Sequence, residues 1–291
     1  MSKKCFAALF MRGRVFFRYS LLALVAVPIS FLWLFPQVIR CMRVSYSSDF
    51  RLLDKTGNVY SSRTATAKQQ AELREHTQTA RQRIRRFWGD KQGQAILIYS
   101  PNQDEYETYC AGGEGAGCSI GTPWGTSYLV LGPEGNNADV IAHELCHDEL
   151  FARLGWWRVK REIPQWFNEG LALMVDYRFS NPSVWEQPDS LTSMESFADE
   201  ATLEPFSHYP MLKLADLEST REFFGGNSIH TMLAYETAAA EVARWLAVVG
   251  RAGVPTLTNA IKAGNGFRQT YQQLERNKRE RAMKARKRPG N

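Results

Sequence analysis

The chain reads HELCH from His143 to His147. In a helix, residues four apart lie one turn apart on the same face. Two imidazoles so placed can converge on one ion at about 2.0–2.1 Å. Glu144 sits one position round the helix, where its carboxylate reaches a water at that ion without being a ligand. Taken alone, the five residues read better as a pair of surface histidines. Glu169, twenty-two residues after His147 inside IPQWFNEGLALMV, changes that balance. A catalytic zinc uses three protein ligands and leaves one position open, and a carboxylate from a second, antiparallel helix supplies the third. Trp166, Phe167, Leu171, Ala172 and Met174 give that helix an apolar side. A glutamate among them is costly unless it is exposed, paired or bound to metal. The expected ligands are therefore His143, His147 and Glu169, the expected metal is Zn2+, and the expected general base is Glu144.

The elements that must carry these residues can be read from periodicity and punctuation. NVYSS (58–62) reads as a short strand, and 66–88 as an amphipathic helix with Leu73, Thr77, Ala80, Ile84 and Phe87 on one face, ended by Gly89. AILIYS (95–100) is a continuous apolar run bounded by Gly93 and Pro101, the mark of a buried strand. A glycine-rich loop follows, then SYLVLG (127–132) as a further strand. Asn136, Asn137 and Asp139 cap a helix running to about Leu154, and Gly155 stops it. Pro164 opens the glutamate helix, which extends to about Tyr177. Residues 180–210, with four prolines, read as a long irregular connection. Helices return near 228–249, 255–262 and 267–278. Strands first and helices after give an α+β domain over 44–275.

HELCH followed by WFNEGLA resembles the gluzincin metallopeptidases, the superfamily of the thermolysin-like enzymes and the gluzincin aminopeptidases. YLVLG, just before the motif, resembles the edge strand that holds the substrate backbone in that superfamily. AYETAAAEVARWL is similar to the aminopeptidase segment whose tyrosine stabilises an oxyanion, which falls on Tyr235 here. The likeness covers roughly residues 58–250. It implies a zincin-like core: a small mixed sheet with an edge strand, an active-site helix, a glutamate helix and a helical C-terminal part. It implies hydrolysis of a peptide or protein substrate, with Glu144 and Tyr235 as catalytic groups. His230 is an alternative donor to Tyr235, by likeness to the thermolysin-like enzymes. The signature that reads a substrate's amino terminus is missing, so the likeness is to the catalytic core. The opposing reading keeps the fold without the chemistry, as a binding module derived from a protease.

The net charge of +6 is concentrated at the ends. Lys3, Lys4, Arg12, Arg14 and Arg18 crowd residues 1–18, and a second basic run fills 276–291, read as a disordered tail. No basic-aromatic stripe accompanies them, so no nucleic-acid partner is expected. Residues 19–39 are uncharged and strongly apolar. They read as one transmembrane signal anchor, with 1–18 cytoplasmic and the catalytic domain on the extracytoplasmic, periplasmic side. Cys110 and Cys118 bracket AGGEGAG and are either a disulfide or two unrelated thiols. Cys146 is expected to be a small buried thiol. Asp139 and Asp176 could support the ligating histidines, although both read more simply as exposed surface acids. Trp156 and Trp157 follow the end of the motif helix, where protein packing and a membrane-facing surface both stay open.

Overall fold

A computed structural model describes Ala26, Ser30 and residues 33–54, 58–110, 115–186 and 211–286. Its core is α+β. Five strands, β1 (Phe50–Leu52), β2 (Val59–Ser62), β3 (Ile96–Tyr99), β4 (Gly117–Gly121) and β5 (Ser127–Leu131), form one mixed sheet in the order β1-β2-β3-β5-β4. The pairs β2–β3 and β3–β5 are parallel, and β1–β2 and β4–β5 are antiparallel. Parallel pairs need a crossover. Between β2 and β3 the crossover is helix α2 (Ala67–Trp88), fixed at its start by a Thr66–Gln69 capping box and at its end by Gly89 at φ 89°. Leu73, Thr77, Ala80, Ile84 and Phe87 are its buried face, as their spacing predicts.

Strands β3 and β5 are covered on both sides, which explains their unbroken apolar runs. Leu97, Tyr99, Leu129 and Leu131 point into the main core with the long helices. Ile98, Tyr128 and Val130 point the other way, into a second cluster with α1 (Pro36–Arg43) and α3 (Gln103–Tyr109). Cys110, just after α3, is disulfide-bonded to Cys118 on β4. The remaining helices are α4 (Ala138–Leu154), α5 (Trp156–Glu162), α6 (Gln165–Leu173), α7 (Ser183–Glu186), α8 (Thr220–Phe224), α9 (Ser228–Val249), α10 (Gly253–Lys262) and α11 (Phe267–Arg286).

Several expectations are corrected here. Among the described residues no helix is long and apolar enough to cross a membrane, so the anchor expected over 19–39 is overturned. Trp33 and Leu34 are helical, the backbone leaves the helix at Phe35, and Pro36 starts a new helix. Val38 and Cys41 are 2% exposed, spent on the protein core rather than on lipid, while Arg40 donates to the Thr108 carbonyl of α3 at 2.7 Å. Residues 1–25, 27–29 and 31–32 lie outside the described residues. The membrane contact and the extracytoplasmic placement rested on that span and are withdrawn with it.

Strand β5 is not an edge: it lies between β3 and β4, and β4 takes the edge. The C-terminal helix runs on to Arg286 rather than ending near 278. It is held by an Arg244–Glu275 pair at 2.7 Å and an i,i+4 Glu275–Arg279 pair at 2.7 Å. Most of the connection expected over 180–210 falls outside the described residues, but 183–186 form α7. There Trp185 is buried and donates to the Met174 carbonyl at 3.2 Å.

Candidate metal centre

Helix α4 begins where Asn137 accepts hydrogen bonds from the amides of Asp139 and Val140, and ends at Gly155, φ 80°. It is buried on nearly every side, against α2, α6 and the sheet. Helix α6 packs on it closely enough for the Cys146 thiol to donate to the Leu171 carbonyl at 3.7 Å. Cys146 is thus the buried thiol expected, its pKa pushed up by burial. On the far side of α6, Gly170 faces α9. A Cβ there would stand 2.4 Å from the Ala238 carbonyl oxygen and 2.7 Å from Val242. The missing side chain is what lets α9 close onto α6. Gly170→Ala is expected to cost about 1–3 kcal/mol by overpacking. Urea melts of the two proteins check this, and an unchanged midpoint would mean that the helices shift apart freely.

These helices bring the expected ligands together. His143 Nε2 lies 3.5 Å and His147 Nε2 3.7 Å from Glu169 Oε2, and the three donor atoms lie within 4.8 Å of one another. Ligands at about 2.0–2.2 Å in a tetrahedron are separated by roughly 3.3–3.6 Å, so the two histidine–carboxylate separations are close to those of a zinc site. The donor chemistry, two imidazoles and one carboxylate, fits as well.

Each ligand is held from behind. His147 Nδ1–H donates to Asn168 Oδ1 at 3.0 Å, which turns Nε2 toward Glu169. Gln165, one turn before Glu169, donates to Glu169 Oε1 at 2.7 Å, so Oε2 is the oxygen turned toward the histidines. Burial alone raises the Glu169 pKa, but His147, His143 and Gln165 outweigh it, and the carboxyl stays ionised below its ordinary range.

Asp176 is the largest departure from the sequence reading. It is completely buried, with Oδ2 3.7 Å from His143 Nδ1. The α-helix ends at Leu173, and the next three amides bond three residues back, Asp176 to Leu173 at 3.2 Å. That tightened turn directs the carboxylate inward, and Arg178 holds it at 2.9 and 2.7 Å. His143 Nδ1 has no hydrogen-bond partner among the described residues, so Asp176 acts on it as a charge at short range. Supporting acids of this kind are worth about 10–100-fold in metal affinity. With no direct hydrogen bond, Asp176→Asn should weaken zinc binding by about tenfold, measured by competition with a chromophoric chelator. Asp139, by contrast, is taken up by Arg83 and the Tyr177 amide and does not reach the centre.

Glu144 is 6% exposed, and its Oε2 has no hydrogen-bond partner among the described residues. Burial first, and then the Glu169 and Asp176 carboxylates, push its pKa up to about 7 against the pull of His147. Beside it runs β4: a Cβ on Gly117 would lie 3.3 Å from Glu144 Cγ. Tyr235, on α9, packs edge-on against Phe223 at 5.2 Å. Burial, followed by Glu169 and Glu144, drives its pKa up, so the hydroxyl is neutral and within charge range of both carboxylates. His230 is half-buried and its Nε2–H donates to the Glu222 carbonyl at 2.9 Å, turned to a different task.

Sequence reasoning missed Asn168 and Gln165. Their positions, immediately before Glu169 and one turn before it, were the available signal. No protein-family model matches the chain, and neither do any curated protein or solved structure.

Proposed function

We propose that the chain is a zinc metallopeptidase of gluzincin type, hydrolysing peptide bonds in a peptide or protein substrate. The observation that carries this is the convergence of His143 Nε2 and His147 Nε2 on Glu169 Oε2, with a buried Glu144 oxygen beside them that has no hydrogen-bond partner among the described residues. Zinc, when bound by those three residues, supplies a Lewis acid that lowers the pKa of water toward about 7. Glu144 takes a proton from the attacking water and passes it to the nitrogen of the leaving amine. Its buried oxygen, with no competing donor, is suited to that exchange. The Tyr235 hydroxyl donates to the carbonyl oxygen as negative charge grows on it. Asn168 and Gln165 keep the ligands in register throughout. Strand β4 pairs only with β5 among the described strands, so its outer edge offers a row of backbone groups for an extended chain, next to Glu144.

The resemblance of HELCH and WFNEGLA to gluzincins supports the same reading. A catalytically silent binding module would not require an ionisable base in that position, and burying one is costly. The test uses the full chain with one equivalent of zinc against a panel of internally quenched peptides. Hydrolysis should disappear with a chelator and return with zinc. A zinc-loaded, folded chain that cleaves no peptide overturns the assignment.

A further inference from the structure

Next to the metal centre lies a cleft of about 390 Å³, within the range of small-ligand sites. One wall is the end of α5 and its link to α6. The other is Glu218–Arg221, at the start of α8. The walls are stitched together: the Gln165 amide donates to the Glu218 carbonyl at 2.8 Å, the Trp166 amide to the Leu217 carbonyl at 3.1 Å, and Thr220 Oγ1 to Gln165 Oε1 at 3.1 Å. The cleft is thus a built feature of the fold. Asn168 and Gln165 line it while also holding His147 and Glu169, so it shares two residues with the support of the centre.

Its charge is unbalanced. Lys160, Arg161 and Arg221 all line it, and none has an ion-pair partner among the described residues. Of the two acids there, Glu218 is already engaged by Arg268. Lys160 also lies within charge range of Glu169, which ties the cleft electrostatically to the centre.

Resting on the metallopeptidase reading, we propose that this cleft receives a carboxylate of the peptide substrate. Arginine forks and an ammonium group are the donors that recognise such a group. Two sources share the chemistry, an acidic side chain or the free C-terminus.

The experiment separates them and does not depend on turnover. Zinc-loaded Glu144→Gln chain is titrated calorimetrically with short peptides in which one Glu, or its isostere Gln, is walked along the sequence, each with a free or an amidated C-terminus. At low salt, one acidic position or the free terminus should bind about fivefold to tenfold tighter than its neutral counterpart. In a Lys160→Ala/Arg221→Ala version with unchanged zinc content and melting point, that preference should fall to parity. No preference in the parent, or a preference that survives the double substitution, overturns the assignment whether or not the chain hydrolyses peptides. Carboxylate-selective binding that disappears in the double variant, in a wild-type chain that cleaves nothing, keeps the cleft and removes the peptidase reading instead.

Discussion

Replacing Glu144 with glutamine should lower peptide hydrolysis by about 10²–10⁴-fold while leaving the zinc content of the protein unchanged. The two side chains have nearly the same volume, and Glu144 is not one of the converging donors, so the substitution removes a proton acceptor and little else. The fold should tolerate it. An amide is cheaper to bury than a carboxylate, and Glu144 is 6% exposed, with one oxygen that bonds to nothing described. The melting temperature of the variant should therefore match or slightly exceed that of the parent. Steady-state kinetics on one cleaved peptide, with elemental analysis and a melt of the same sample, measure all three quantities. Parental turnover in a zinc-replete glutamine variant would remove Glu144 from the mechanism. Lost zinc would show instead that the carboxylate helps hold the metal.

The parts of this centre that were legible in the sequence are those fixed by local rules. The i,i+4 spacing of His143 and His147, the Asn137 cap and the Gly155 stop determine where α4 begins, where it ends and what it presents. Glu169 could be read because a carboxylate in an apolar helix demands a partner, and the structure gives it two imidazoles. Strand β4 could not be read. Its sequence, GCSIG, has glycine at both ends and little β-propensity, and it becomes a strand through pairing with β5 from Gly117↔Leu131 to Gly121↔Ser127. The interior position of β5 follows from the same non-local pairing.

Asp176 was misjudged for a related reason. On a continuing α-helix it is one more polar residue. In the fold the helix stops three residues short, and Arg178, two places further on, neutralises a carboxylate that is then affordable inside. At the N-terminus, composition was a poor guide because it counted apolar residues without asking what they touch. Val38 is buried, Cys41 packs with Val44 and Tyr106 in the smaller core, and Pro36 cannot continue a helix from Phe35 without losing a hydrogen bond.

Alanine at Glu169 should reduce bound zinc from about one per chain to a small fraction after equilibrium dialysis, an affinity loss of roughly 10²–10³-fold. The size follows from structural sites with four protein ligands, where about 10–16 kcal/mol of zinc binding comes to about 2.5–4 kcal/mol for each ligand. Glu169 is also the only anion of the three ligands, and its Oε2 is the atom on which both Nε2 atoms converge at 3.5 and 3.7 Å. The alanine variant opens a small void and leaves the Gln165 amide without its 2.7 Å acceptor, so some loss of stability is expected alongside. Glu169→Gln separates the two effects. It fills the same space and still accepts from Gln165, but it carries no charge, so it should retain the parent's melting point without metal while binding zinc poorly. If both variants hold zinc as tightly as the parent, the ion is not at this site, and the convergence of His143, His147 and Glu169 is a buried ion-pair network between two helices.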